Sequence, residues 1–283
     1  MKVHFLSISL LTSIPSLRFI VDSFLKNKNE VAITELSLKN SNNYYQTKNI
    51  QHNKIVEFES FEVLKEKLGK FTFKKYYTVI KAILLIENDL IYTNDYQVVF
   101  LKLILNKKVK IIYHQFELVE QQYLGRVSKF IYRYVLKHSN KINLAIFPEI
   151  NRAEYFKSQS TLFREKMIIF PNTCNIVEQN ITNNTTCIDF IPADTFKVLH
   201  TGVLGVAEHF FDTFLSATKM FNSKDNIAFI FIGRKTKEID KFIEDNNIKN
   251  VHFINNIPHQ ELLKVYSKVD LGLILYKGVN LNI

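Results

Sequence analysis

The feature that most limits the fold of this chain is a regular alternation between short segments of strand period and longer segments of helix period. Within residues 1–173, strand patterning occurs at Val3–Ser9, Glu30–Leu36, Lys54–Phe58, Leu90–Thr93, Lys110–Tyr113, Ile142–Phe147 and Met167–Phe170. Helical periods occur between them at Ser16–Lys26, Phe61–Leu68 and Gly125–His138, and a basic helical region follows Leu68 and runs to Ile86. Such alternation predicts a parallel, doubly wound α/β sheet with right-handed crossovers.

The alternation starts again at Phe196. The segments FKVLHTG, IAFIFIG, VHFI and LGLILY have strand patterning, with helical periods between them at residues 206–221, 237–246 and 259–267. Residues 174–195 are rich in Asn and Thr and have no helical period. The sequence therefore predicts two Rossmann-like domains, at residues 1–173 and 196–283, joined by a linker at residues 174–195. A ligand cleft is expected between two such domains.

The carboxyl-terminal segment predicts a strand, a turn, a helix and then a buried strand from Asp270 to Tyr276, and the sequence ends at Ile283. Open α/β sheets bind their ligands at the carboxyl ends of the strands. We therefore expect the second domain to be incomplete, with the ligand loop after its last strand missing.

Composition narrows the class of protein. A hydrophobic content of 47% with 23% charged residues is typical of a globular chain and excludes a disordered one. The net charge of +10 favours an anionic partner, which leaves nucleic acid, an acidic membrane surface and a phosphorylated ligand open, although a Lys- and Asn-rich composition also raises the charge without any function. Cys174 and Cys187 lack the spacing of a metal site or of a disulfide scaffold, so we expect free thiols, no metal and a cytoplasmic location.

A dinucleotide-binding enzyme is the first alternative for a Rossmann-like chain. The sequence excludes it, because no G-x-G-x-x-G follows any strand and the chain has only seven Gly.

The order of several short segments resembles a different family. NDLIYTND, IIYHQFEL, NLAIFPEINRAEYF, IIFPNT, VLHTGVLG, FIFIGR and VHFINNIPHQELLKVYSKVDLGLILY together resemble bacterial GT-B glycosyltransferases of the retaining family-4 type. The resemblance covers nearly the whole chain. It implies transfer of a sugar from a nucleotide-sugar to a lipid-linked or polysaccharide acceptor in surface glycan biosynthesis, with the nucleotide-sugar on the second domain, the acceptor on the first and no metal cofactor.

The resemblance also implies a missing part. Members of this family carry, after the strand that matches LGLILY, a Lys-containing loop and an E-x7-E segment that hold the diphosphate and ribose, and nothing in this chain matches that segment. We therefore expect weak or no transferase activity from the chain as it stands. The alternative is a non-catalytic remnant that binds a sugar nucleotide or a membrane.

Four residues of the second domain are candidates for binding the donor. Transfer from a diphosphate needs cations or backbone amides that stabilise negative charge. Gly202 and Gly205 lie in a strand-to-helix loop whose amides could face a phosphate, or they serve ordinary packing. Arg234 follows the strand FIFIG and Lys277 follows the last strand, and each is either a phosphate contact or merely solvated. Glu208, where the family often has a cation, has the wrong sign for this role.

In the first domain, His114 and Glu117 follow a buried strand at a predicted switch point and are the candidate catalytic residues. The family commonly shows Asp-x-His-Glu here, so Glu117 matches while Phe116 replaces the His. Glu149 and Arg152 also match a family pattern, but a helix cap with a structural ion pair explains them equally well.

A basic, aromatic stretch at residues 65–81 suggests a docking surface. It interleaves cations with rings, at Lys65, Lys67, Phe71, Phe73, Lys70, Lys74, Lys75, Tyr76, Tyr77 and Lys81. This mixture suits an anionic bilayer, and we expect a peripheral protein at the inner face of the cell membrane. RNA could use the same residues, but no nucleic-acid-binding motif accompanies them, and a solvated helix face stays an alternative.

Overall fold

The structure is a computed structural model. It describes residues 2–7, 15–38, 50–58, 72–86, 89–171, 186–202, 211–221, 224–233, 241, 243–245, 250–255, 257 and 259–274. The chain divides into two compact units, residues 1–176 and residues 177–283.

The first unit is built on a seven-stranded parallel sheet. Its strands are β1 (Lys2–Leu6), β2 (Glu30–Leu38), β3 (Gln51–Phe58), β4 (Leu90–Thr93), β5 (Lys110–His114), β6 (Leu144–Phe147) and β7 (Met167–Ile169). Their order across the sheet is β3-β2-β1-β4-β5-β6-β7. The chain therefore builds outward from the centre in both directions, which is the doubly wound arrangement.

The described helices that cover this sheet are α1 (Pro15–Lys26), α2 (Thr72–Leu85), α3 (Tyr96–Ile104), α4 (Arg126–Lys137) and α5 (Ile150–Gln159). Single 3-10 turns lie at Gln121–Tyr123, Ser139–Lys141 and Arg164–Lys166. Successive side chains of a strand point to opposite faces, so the strands supply two cores. Phe5 and Tyr92 pack with α1 on one face, whereas Leu6, Ile91 and Ile111 pack with α2, α3, α4 and α5 on the other.

The switch point of the first sheet lies between β1 and β4, because the chain leaves these neighbours in opposite directions and its helices change face there. The sequence placed His114 at the switch point. That placement was wrong by one strand, because His114 ends β5, the next strand outward.

The second unit is built on a smaller parallel sheet of four described strands. These are β8 (Phe196–Thr201), β9 (Ile227–Ile232), β10 (Val251–Ile254) and β11 (Leu271–Leu273), in the order β10-β9-β8-β11. The helices α6 (Phe211–Thr218) and α7 (His259–Tyr266) accompany them. Two parallel α/β sheets confirm the predicted fold class.

Part of the segment that the sequence assigned to the linker packs into the second unit. Ile188 and Ile191 are buried in a core with Leu199, Ile230 and Val265. Hydrophobic burial of Ile188 and Ile191 therefore anchors this part of the segment, which the Asn- and Thr-rich residues before it hide in the sequence. Residues 172–185 lie outside the described residues.

The last described strand is less covered than expected. The sequence predicted a buried strand from Asp270 to Tyr276, but the side chain of Leu271 is 46% exposed and that of Ile274 is 84% exposed. The prediction of burial was wrong because β11 lies at the outer end of the strand order, where it pairs with β8. Residues 275 and 276 lie outside the described residues.

Two helices, α3 and α5, are absent from the helical periods in the sequence. Helix α3 reads YQVVFLKLI and buries five of its nine residues, so it lacks the polar face that gives an amphipathic period. The helix predicted at Phe61–Leu68 falls outside the described residues. Across the part of the chain that the structure describes, no helix is long and apolar enough to cross a bilayer.

Candidate functional site

The carboxyl edge of the first sheet presents a row of polar residues. Strand register pairs Phe5 with Tyr92 and Thr93 with Tyr113, so that Ser7, Asn94 and His114 follow one another across the ends of β1, β4 and β5. Within the described residues, Asn94 Oδ1 and His114 Nε2 are buried and have no hydrogen-bond partner. Buried polar atoms are nearly always paired, so these two mark the edge as a place for a polar ligand.

His114 is held by the strand next to it. The phenol oxygen of Tyr92 lies 2.5 Å from His114 Nδ1, and Phe116 lies against the imidazole ring at a centroid distance of 4.0 Å. Burial raises the pKa of Tyr92 well above its ordinary value, so its O–H stays available to donate. Burial also lowers the pKa of His114 to about 4. At neutral pH His114 is therefore an uncharged hydrogen-bonding group, with Nε2 carrying the hydrogen when Tyr92 donates to Nδ1.

A cavity of about 290 Å³ adjoins His114 on the face of the sheet that α1 partly covers. Its polar side chains are those of Ser23, Tyr92 and His114, and the rest of its lining is apolar, from α1, β5, β6 and Phe170. This cavity can accommodate an apolar group next to the polar edge.

The loop after β5 is fixed by Arg152 on α5. Arg152 Nη1 donates to the Phe116 carbonyl oxygen at 2.5 Å, and Arg152 Nε contacts Glu149 Oε1 at 2.8 Å. Glu149 occupies the N-cap position of α5, but its side chain makes no cap hydrogen bond. Arg152 is thus a positioning residue for the loop, and Glu149 is its ion-pair partner.

The two candidate catalytic residues of this unit differ in exposure and are not linked by a hydrogen bond. His114 is 1% exposed, whereas Glu117 lies three residues further along in the loop and is exposed. No hydrogen bond between them occurs among the described residues. The side chain of Glu117 is accessible to a ligand, whereas that of His114 is buried at the carboxyl edge of the sheet.

The carboxyl edge of the second sheet is built on two glycines. Gly202 follows β8 with φ +133°, and Gly233 follows β9 with φ +155°. A Cβ atom on Gly233 would lie 1.7 Å from the Gly202 carbonyl oxygen, so only glycine fits. Gly202 was a candidate from the sequence, while Gly233 was missed, although its position at the end of FIFIG was a signal for it.

The other donor-side candidates, Gly205, Arg234 and Lys277, lie outside the described residues, as does Glu208. The two cavities described in this unit, of about 220 and 430 Å³, are lined by residues such as Pro192 and Asn226 at the amino ends of the strands. They therefore lie away from the edge that carries Gly202 and Gly233. A group of three or more metal-ligating side chains does not occur in the described part of the chain.

No protein-family model matches the sequence. A comparison with curated proteins finds no match either.

Solved structures do resemble this one. HepE of Anabaena in complex with UDP-glucose superposes with a TM-score of 0.65 at 12% identity, over 96% of this chain and 73% of HepE. WaaG, a glycosyltransferase involved in lipopolysaccharide biosynthesis, gives a TM-score of 0.61 at 10% identity, over 96% and 74% of the two chains. An E. coli structure described as trehalose-6-phosphate bound with UDP-2-fluoro glucose gives 0.64 at 11% identity, over 99% and 80%. At such identities the likeness shows the fold, which is that of the GT-B glycosyltransferases.

Proposed function

We propose that this chain is a glycosyltransferase of the retaining family-4 type, or a portion of one, that uses a nucleotide-sugar. The observation that carries the proposal is the glycine pair Gly202 and Gly233, which leaves backbone open at the carboxyl edge of the second sheet. Ligands of open α/β sheets bind at that edge. The likeness in fold to HepE with bound UDP-glucose supports a UDP-sugar as the donor.

The proposed chemistry is transfer of a sugar to a hydroxyl group. The bond from the anomeric carbon to the diphosphate oxygen breaks, a bond to the acceptor oxygen forms, and the acceptor proton ends on the released nucleoside diphosphate. On the donor side, residues 196–283, the amides at Gly202 and Gly205 with Arg234 and Lys277 would stabilise the diphosphate charge. No metal is required in this scheme.

On the acceptor side, residues 1–173, we assign His114 and Glu117 to the acceptor. The neutral His114 offers a hydrogen bond rather than a charge, because burial lowers its pKa to about 4. Glu117 is exposed beside it in the chain and supplies a carboxylate. The acceptor we propose is a lipid-linked or polysaccharide glycan of a bacterial surface pathway, since an apolar cavity adjoins the polar edge.

We further propose that the protein works at the inner face of the cell membrane and docks through the 65–81 stretch. Helix α2, which contains the described end of this stretch, supports the proposal, because it exposes Tyr77 by 60%. Just beyond the stretch, the same helix exposes Leu84 by 50% and Leu85 by 74%. Lys81 lies on the same helix and is exposed. Apolar anchors beside a cation suit an anionic bilayer.

Binding and turnover of a UDP-sugar panel test the transferase proposal. Calorimetry with UDP, UDP-glucose and ADP is expected to show selective binding of the uridine nucleotides. Arg234→Ala should weaken that binding. If the unsubstituted protein shows transferase activity, Arg234→Ala should also lower its kcat/KM by about 10² to 10³. Lys237→Ala is the matched control for Arg234→Ala. Selective binding without turnover would favour the non-catalytic alternative, and no binding of any nucleotide would refute the assignment of the donor side.

A further inference from the structure

Helix α4 presents a large apolar group to solvent instead of burying it. Ile131, Tyr132, Val135 and Leu136 face the core. On the opposite side, Val127 is 73% exposed and Phe130 is 65% exposed, and Tyr123 just before the helix is 65% exposed. Contiguous exposed apolar side chains of this size usually mark an interaction surface.

The same helix carries cations and no acidic residue. Its sequence RVSKFIYRYVLK contains Arg126, Lys129, Arg133 and Lys137. Arg133 Nε donates to Gln121 Oε1 at 3.0 Å. Among the described residues, none of these four cations forms an ion pair with a carboxylate, so the positive charge of the helix is not neutralised.

At 3.6 residues per turn the two groups form adjacent strips. Val127 and Phe130 lie on one side of the outward face, while Arg126, Lys129, Arg133 and Lys137 lie on its other side. An apolar strip beside a basic strip is the pattern of a helix that lies in the plane of a membrane interface. We propose that the outward face of α4 is a docking surface for anionic lipid.

Lipid explains this surface better than nucleic acid does. Single strands of RNA need rings on which bases can stack, but Val127 is aliphatic and is the most exposed apolar residue of the helix. An aliphatic and an aromatic side chain together suit the acyl boundary, and the cations suit lipid phosphates. The inference does not depend on sugar transfer, so its test contains no donor and can fail independently of the proposed function.

The surface is also distinct from the 65–81 stretch. Helices α2 and α4 both belong to the layer on one face of the first sheet, with α3 between them. Docking through α2 alone would leave Phe130 in water, whereas docking through α4 buries it. One reporter on each helix therefore separates the two surfaces.

The chain contains no Trp, so a single introduced Trp reports its own position alone. Phe130→Trp should show a blue-shifted emission when vesicles of phosphatidylcholine with phosphatidylglycerol are added. Tyr77→Trp reports on α2, and Met220→Trp, at a position 82% exposed in the second unit, is the matched control. An unshifted Phe130→Trp emission overturns the proposal, and so does an equal shift at Met220→Trp, which would indicate unspecific adsorption.

Charge reversal gives an independent readout on the otherwise unchanged protein. Arg126→Glu with Lys129→Glu should lower affinity for the anionic vesicles at least about tenfold, since each cation near an anionic surface contributes about 1 kcal/mol. Lys26→Glu with Lys108→Glu changes the net charge equally and should leave affinity nearly unchanged. Circular dichroism checks that all variants fold. Equal losses in both pairs, or an unchanged affinity of the Arg126→Glu, Lys129→Glu variant, would overturn the lipid assignment.

Discussion

The backbone geometry at Gly233 accommodates only glycine. Its φ is +155°, and a Cβ would lie 1.7 Å from the Gly202 carbonyl oxygen. We expect Gly233→Ala to lower the free energy of unfolding of the second unit by about 2 to 4 kcal/mol, because strain and a backbone clash combine. Urea denaturation measures this, and Gly272→Ala, where a Cβ meets nothing within 4 Å, is the control. Equal effects in the two variants would contradict the clash.

The lowered pKa of His114 makes the free energy of unfolding of the first unit depend on pH. Burial lowers its folded-state pKa to about 4, from the ordinary value of 6.5. The unfolded state therefore binds more protons between these values, and stability falls as pH drops through that window. His114→Gln should flatten the pH dependence of unfolding there by a few kcal/mol, or about 1.4 kcal/mol per pKa unit. An unchanged slope in His114→Gln would show that His114 is not the responsible group.

Some residues of the candidate site could be predicted from the sequence, and others could not. His114 could be found because a polar residue directly after an apolar strand stands out. Asn94 and Gly233 were missed as site residues, since their importance depends on the neighbours that register brings beside them. The contact of Arg152 with the Phe116 carbonyl joins positions 36 residues apart and leaves no local pattern.

At the scale of elements, helix α5 holds the loop after β5 through one side chain. Arg152 is 18% exposed and contacts both Glu149 and a backbone carbonyl. Arg152→Ala should destabilise the first unit by about 1 to 3 kcal/mol, because the Phe116 carbonyl loses its charged donor. Arg164→Ala removes an ion pair with Glu154 that is 80% and 50% exposed and should cost less than about 1 kcal/mol. Thermal unfolding compares the two, and a larger effect at Arg164 would argue against a positioning role for Arg152.

Most strands were predictable because each combines an apolar run with a polar or glycine end. The helices were harder to predict from the sequence. Helix α4 has a clear amphipathic period, but the outward-facing Val127 and Phe130 were not distinguishable from core residues in the sequence. Helix α3 buries so many residues that its period disappears.

At the scale of the whole molecule, the basic stretch yields a salt-dependent prediction. Replacing Lys70, Lys74 and Lys75 with Glu should lower the fraction of the protein that sediments with anionic vesicles. Wild-type binding should weaken as salt rises, since the Debye length is about 10 Å at 0.1 M. Lys26, Lys108 and Lys241 replaced with Glu form the control with equal net charge. Full binding by the first triple variant would move the docking surface away from residues 65–81.

The two-sheet organisation followed from the restart of alternation at Phe196, which reflects how each sheet is assembled locally. The packing of residues 186–195 did not follow, because the apolar segment CIDFI is too short to show a period. The burial of Ile188 and Ile191 depends on a core supplied by β8, β9 and α7. Long-range packing of this kind leaves no period in the sequence.

The exposed edge at β11 affects how the purified protein behaves. Leu271, in the outermost described strand of the second sheet, is 46% exposed, and Ile274, directly after that strand, is 84% exposed. Open strand edges recruit strands from other molecules. Preparations should therefore lose monodispersity as concentration rises, and dilute samples will suit scattering and resonance measurements better than concentrated ones.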